Sequence, residues 1–361
     1  MKISDYYTYA PKSKIKAGDA NPNGKYQFYT SSPDESRRCD EYLYDCKAIV
    51  MGTGGSATLH YYDGKFSTST DCLTLIPNEK IRAKYLYYFF LANMDVLEAG
   101  FKGAGLKHTS KGYIDNIEIT KIPSLPSQDK IVNLFDELAL RIEKERRQIE
   151  KLDELVKARF VEMFGDRFLN TMNWPTKKLG DCATFRNGKA HEKVISETGQ
   201  YVLITSRAIA SDLQDVRHTD SLLTPLATGD IVMVMSDVPN GKALAKCLLI
   251  TENEKYTLNQ RICSLSNYDL NPVFFTYLLN RHQFFLSFND GNGQTNLRKD
   301  DILNCPLIRP SIELQNQFAN FVAQVDKSKF VLSNELTMCD FYIRLIHDRV
   351  MHGRINLRMA Q

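Results

Sequence analysis

The chain has 361 residues, of which 43% are hydrophobic and 25% charged, and its formal net charge is +3. This is the composition of a folded protein with room for two or three domains, not of a disordered one, and the charge alone does not point to nucleic acid. The longest apolar runs, such as YLYYFFLA at 85–92, are too short to span a bilayer and the N-terminus carries no apolar signal segment, so the expected location is cytoplasmic with no membrane partner.

The first third of the chain reads as short strands and helices punctuated by glycine. In order come KISDYYTY at 2–9, GKYQFYTS at 24–31, AIVMGTGG at 48–55, DCLTL at 71–75, the aromatic helix KYLYYFFLAN at 84–93 and GLKHTSKGYIDN at 105–116. PSLPSQ at 123–128 then leads into a long charged helix. The series begins again after that helix: KLGDCATF at 178–185, GQYVLITS at 199–206, DIVMVMSD at 230–237, ICSLS at 262–266, NPVFFTYLLN at 271–280 and GQTNLRKDDILN at 293–304. PSIELQ at 310–315 repeats the Pro-Ser-aliphatic-x-x-Gln frame 187 residues after the first and opens a second helix. One match could be chance, but the whole ordered set marks an internal repeat.

The helices carry the clearest periodicity. From Phe135, apolar residues recur every seven at Ile142, Ile149, Val156 and Met163, with Ile131, Leu138 and Leu152 between them. The second helix keeps that register with Val322, Leu336, Ile343 and Val350 on one seam, and Phe318, Val325, Leu332, Cys339 and Ile346 on the other. Glu145, Arg159 and Lys329 interrupt the seams. A narrow stripe of about 36 residues, roughly 54 Å of helix, cannot be buried on one small domain, so the helices are expected to pair with each other. The fold class is therefore α+β: two similar globular α/β domains separated by two long antiparallel helices forming a coiled coil, in a pseudo-two-fold internal repeat. The expected boundaries are 1–122 and 169–309 for the globular copies, and 123–168 and 310–361 for the helices.

No catalytic constellation is visible. The cysteines show no zinc-type spacing and read as buried free thiols, the histidines form no i, i+4 pair, and no Ser/His/Asp triad can be nominated. The 52–56 run GTGGS lacks the Lys-Ser/Thr ending of a phosphate-binding loop and reads as a tight turn between strands. Asn271-Pro272 reads as a helix start, with asparagine as cap and proline in the first turn. What the globular copies do carry is a set of loops mixing Arg and Lys with Asn, Gln, Ser, Thr, His and Gly. Cations suit phosphates and guanine edges, amides suit adenine, and glycine lets backbone approach. The candidate DNA-binding residues are Thr30, Ser31, Arg37, Arg38, Gly54, Gly55, Lys102, Lys107, His108 and Lys111 in the first copy. In the second they are Ser206, Arg207, Asn240, Lys242, Gln260, Arg261, Gln294, Asn296, Arg298 and Lys299.

GKYQFYTSS, AIVMGTGGSATLHYYDGKF, KYLYYFFLAN with FKGAGLKHTSK, and IPSLPSQDKIVNLFDELALRIEKERRQIEKLDEL together resemble the specificity (S) subunit of type I restriction-modification enzymes over essentially the whole chain. The resemblance implies that each globular copy is a target recognition domain reading half of a bipartite site in double-stranded DNA. It implies that the helices are spacers that dock two methyltransferase (M) subunits, with restriction/translocase (R) subunits completing the complex. This chain would bind no cofactor, and the complex would use S-adenosylmethionine, ATP and Mg. The second copy departs from the pattern at VMSDVPNGKALAK and GNGQTNLRK, and its helix opens with SIELQNQ, not LPSQDK. The competing classes are a non-catalytic coiled-coil adaptor and a stand-alone DNA methyltransferase or nuclease.

Overall fold

The computed structural model describes residues 1–119, 121–238, 241–291 and 293–346. The chain divides into two compact units. One joins residues 1–147 to the segment that begins at Ser333, and the other comprises 148–332.

In the first unit, β1 (Tyr7–Tyr9), β2 (Tyr26–Tyr29), β3 (Arg38–Cys39), β4 (Tyr44–Gly52), β5 (Leu59–Thr68) and β6 (Cys72–Pro77) form one sheet of order β1-β6-β4-β5-β2-β3. Its pairings are antiparallel except β2 with β5, which run parallel. α1 (Ala83–Ala92), α2 (Met94–Glu98) and α3 (Lys111–Asp115) follow, and then α4 (Leu125–Phe164), a single helix of 40 residues. The core gathers Ile49, Met51 and Leu75 from the sheet with Tyr85, Phe89 and Phe90 from α1 and Phe135 from α4. Gly24 sits where a Cβ would come within 2.4 Å of the Cys39 carbonyl carbon, so no larger residue fits between β2 and β3.

The second unit contains β7 (Thr176–Lys178), β8 (Thr184–Asn187), β9 (Tyr201–Ile204), α5 (Ser206–Ala210), β10 (Arg217–Thr219), β11 (Ile231–Val234), β12 (Ser236–Asp237), β13 (Cys247–Leu249), β14 (Tyr256–Leu258) and β15 (Ile262–Ser266). α6 (Pro272–Leu279), α7 (Gln283–Leu286), β16 (Thr295–Asn296), α8 (Lys299–Leu303), β17 (Pro306–Ile308) and the 35-residue α9 (Ile312–Ile346, reaching into the first unit) complete the series.

The repeat is visible in the pairing. β9 with β14 is parallel, as β2 with β5 is, while β15 with β11, β11 with β13, and β15 with β8 match β6 with β4, β4 with β5, and β6 with β1. Gly199 meets the Thr219 carbonyl carbon at 2.5 Å from its would-be Cβ, as Gly24 meets Cys39. The copies differ at one strand. β5 is continuous, whereas its counterpart is cut into β13 and β14 by the exposed polar stretch 251–255, which contains Glu254 at φ 54°. The sheet is split accordingly into β13-β11-β15-β8 and β10-β9-β14.

Within each unit the two long helices run antiparallel. In the first, the Arg141 guanidinium meets the Glu335 carboxylate at 3.0 Å, and Ile343 and Ile346 pack on the core that holds Phe135. In the second, Lys329 pairs with Asp153, and Phe160 and Phe164 meet Phe318 edge-on at 5.3 and 5.7 Å. The heptad stripe is the covered face: Phe135, Val156, Phe318, Val322, Val325 and Cys339 are buried, and Ile131, Leu138, Ile142, Ile149, Leu152, Met163, Leu332 and Leu336 are half-buried. Glu145 is buried on the same stripe at 4% exposure, held by Arg141 at 2.8 Å. Val350 lies outside the described residues.

PSLPSQ and PSIELQ make the same joint. Ser124 and Ser311 precede the first helical residue, and their carbonyls accept the N–H groups of Gln128 and Gln315. Seven of the eight cysteines are buried and all are free, and burial pushes the Cys263 and Cys305 thiols up to about 12. Asn271 caps α6 through its Oδ1, with Pro272 in the first turn.

Candidate nucleic-acid interface

In the first unit the turn after β4 is assembled from three distant segments. The Thr53 N–H donates to the Asp71 carbonyl at 2.9 Å, and the Thr53 carbonyl accepts from the Thr109 N–H at 3.1 Å. The Ser31 hydroxyl accepts from the Thr53 and Gly54 N–H groups at 3.1 and 3.4 Å and donates to the Asp71 carbonyl. Gly54 pairs with His108, Gly55 turns at φ 87° and donates to the Lys107 carbonyl at 2.9 Å, and Lys102 and His108 exchange two backbone bonds at 2.9 and 3.0 Å. Ser31, Gly54, Gly55, Lys102, Lys107 and His108 are thus brought together, with the two lysines and the histidine exposed.

Thr30, Arg37 and Arg38 make none of these bonds. Thr30 is 4% exposed. Arg38 spends its guanidinium on Gln27 Oε1 at 2.6 Å and on the carbonyls of Glu35 and Arg37, while Arg37 pairs with Asp34 at 3.5 Å and reaches the Ala17 carbonyl.

The second unit repeats the central bonds of this turn with different side chains. The Met235 N–H donates to the Arg261 carbonyl at 3.1 Å, the Met235 carbonyl accepts from the Leu297 N–H at 2.8 Å, and Ser236 pairs with Asn296 as Gly54 pairs with His108. Arg261, Gln294 and Asn296 meet there, all exposed. Asp237 takes the N–H groups of Val238, Ala243 and Leu244 at 2.9, 2.7 and 3.0 Å, which ties down the loop carrying exposed Lys242. Asn240 lies outside the described residues. Half-buried Ser206 and exposed Arg207 start α5, where Arg207 pairs with Asp215 at 3.5 Å, and the Gln260 amide donates to Glu192 at 3.2 Å. Arg298 stands before α8 with its backbone N–H on Asp301.

A second repeated feature is a seat for one lysine. Lys111 Nζ lies 4.3 Å from the centre of the Tyr9 ring, and Lys299 Nζ lies 5.9 Å from that of Phe185, the matching residue of the second copy. The aromatic faces attract the cations and hold the flexible stems in place. In the first copy Tyr7 and Tyr9 both donate to Asp115, at 2.8 and 2.9 Å. Burial foremost, then the Tyr9 hydroxyl and the Asp115 carboxylate, holds the Tyr7 phenol far above its ordinary range, so it stays a donor.

Sequence reasoning passed over Tyr9, Phe185 and Ser236. The signal for Ser236 was its alignment with Gly54, and for the aromatics their recurrence in KISDYYTY and KLGDCATF. Among the described residues no group of three or more His, Cys, Asp or Glu side chains gathers where it could hold a metal ion, and no helix is long and apolar enough to cross a membrane.

A family model for the type I restriction modification DNA specificity domain matches residues 1–154 and again 172–337. The chain belongs to that family. The two matches to the specificity domain follow the internal repeat, with the shared turn falling once in each. A type I restriction-modification S subunit from M. genitalium, known from a crystal structure, is similar in fold with a TM-score of 0.63 at 16% identity, over 97% of this chain and 95% of that one. A chain from a study of complex assembly and conformational transition in the type I R-M system gives a TM-score of 0.50 at 13% identity, over 98% and 97%. At these identities the likeness concerns the specificity-subunit fold. No curated protein matches the chain.

Proposed function

We propose that the chain is the DNA specificity subunit of a type I restriction-modification complex, in which each globular domain reads one half of a bipartite site in double-stranded DNA. One observation carries the reading most. The two domains share the two backbone bonds made by Thr53 or Met235, the pairing of Gly54 with His108 or Ser236 with Asn296, and an aromatic-seated lysine beside a strand end, yet present different side chains there. Two readers of one design with unlike side chains suit two unlike half-sites. The lysines serve phosphates, and the amides, Arg261 and His108 serve base edges.

In this reading the paired helices set the unread spacer between half-sites and dock two M subunits, which methylate adenine with S-adenosylmethionine. R subunits supply ATP- and Mg-dependent translocation and cleavage. The chain itself contributes no catalytic group and works in the cytoplasm.

The test is an exchange. Replacing residues 1–122 by the equivalent domain of a relative should change one half of the methylated site and leave the other half and the spacer alone. A change in both halves, or in neither, would refute independent reading. Removing one heptad from each helix should shorten the spacer, and an unaltered spacer would remove the helices from that role.

A further inference from the structure

At the turn of the second domain a hydroxyl ties two amides together. The Ser236 side chain, 8% exposed, donates to Asn296 Oδ1 at 2.6 Å and accepts from Gln294 Nε2 at 2.6 Å. A serine hydroxyl has one proton to give, so this arrangement fixes which end of each amide remains. Gln294 keeps its carbonyl oxygen and Asn296 keeps its NH2 group, and among the described residues neither group has another partner. Reversing both bonds would exchange the two roles but would still leave one acceptor and one donor side by side. Both residues are exposed and line an open cavity of about 570 Å³ that Phe288, Arg298 and the acidic residues Asp290 and Asp301 also border.

We infer that Gln294 and Asn296, locked by Ser236, read the major-groove edge of one adenine in the half-site of the second domain. The inference rests on the proposal that this domain binds duplex DNA. Adenine presents an acceptor at N7 beside a donor at N6, whereas guanine presents two acceptors, cytosine a donor, and thymine an acceptor beside a methyl group. Among single base edges, only adenine offers the complement of one N–H and one C=O. A free asparagine or glutamine makes both bonds with one amide, but here each amide has one end engaged, so the two residues share the base. Arg298, on the same cavity wall, brings positive charge for the adjacent phosphate. The first domain has Gly54, Leu106 and His108 at the positions of Ser236, Gln294 and Asn296, and therefore lacks this pair.

The experiment selects bound duplexes from a randomised library with the full chain and its methyltransferase subunits, and reads base preference at every position. The native chain should require an A·T pair at one position of the half-site assigned to residues 169–309. Gln294→Ala and Asn296→Ala should each lower the preference for adenine there by ~5-fold or more while sparing the other half-site. Ser236→Ala should broaden the same position, and Ser236→Thr, which keeps the hydroxyl, should restore it; a merely structural role would weaken all positions together. An unchanged profile in the Gln294 and Asn296 variants, with a bipartite site still selected, overturns this inference alone. Selection of no bipartite site by the native complex overturns the proposed function and this inference with it.

Discussion

The Gln315 carboxamide joins the second long helix to its domain by accepting the backbone N–H of Asn271 at 2.8 Å and donating to the Pro310 carbonyl at 2.9 Å. Gln128 does the same in the first domain, accepting the N–H of Arg82 at 2.7 Å and donating to the Pro123 carbonyl at 2.9 Å. Arg82 and Asn271 are the residues just before α1 and α6, so each glutamine bolts a helix start in the domain to the first turn of a long helix.

Gln128→Leu and Gln315→Leu keep much of the volume but leave one backbone donor and one backbone acceptor each without a partner. Each should cost about 2 to 6 kcal/mol, from roughly 1–3 kcal/mol for each of the two unsatisfied groups. Urea denaturation would measure it, and a loss under 1 kcal/mol would mean that the joint is held by apolar packing instead.

The carboxylate of Glu145 sits on the buried seam with Oε2 lacking a hydrogen-bond partner among the described residues. Glu145→Leu replaces a desolvated charge with an apolar side chain and should raise the thermal midpoint. Arg141→Ala leaves that carboxylate buried without its cation and should lower it. Equal, small effects of the two variants would show the ion pair to be energetically idle.

The domain core of the second unit converges on Phe318, fully buried and ringed by Phe160, Phe164 and Tyr277 at 5.3 to 5.7 Å. Phe318→Ala should destabilise this unit by about 3–5 kcal/mol. Hydrogen exchange would locate the loss in 148–332, with the first domain's sheet protected as before.

His282 gives stability a pH dependence. Its imidazole is buried, its Nδ1 accepts the Phe284 N–H at 3.2 Å at the start of α7, and burial first, then Arg167, lowers its pKa to about 4. The unfolded chain therefore binds a proton at higher pH than the folded one. This residue's contribution is present above the unfolded value near 6.5 and is lost as pH falls toward 4, on the order of 3 kcal/mol in all. The pH slope of unfolding free energy should flatten across that window in His282→Asn.

Lys111 and Lys299 are expected to contact phosphate. Alanine at either position should weaken binding to all sequences alike and reduce the slope of log K against log salt by about 1. A change in base preference without a change in slope would make the lysine a base reader.

How far the sequence carried depended on whether a feature is periodic or conferred by partners. The helix seam was legible because burial follows the heptad, even at Glu145, where residue type pointed the other way. The repeat was legible because glycines such as Gly24 and Gly199 answer to the same crowding. Residue type gave no hint that Thr30 is covered or that Arg38 is consumed by Gln27 and two carbonyls, since strand ends and surface loops draw on the same alphabet. The role of Gln128 was hidden for a related reason. A glutamine in a proline-bearing stretch reads as loop, and its partners lie 46 residues upstream and 5 upstream.

The turn shared by the two domains is held by main-chain atoms: Thr53 or Met235 to Asp71 or Arg261, and Thr109 or Leu297 back to Thr53 or Met235. Every residue type except proline can make those bonds, so the side chains mounted there are free to change without the mount moving. Specificity can then drift in small steps, each variant inheriting a folded platform. For a designer, Leu106, Lys107 and His108 become replaceable type in a fixed frame.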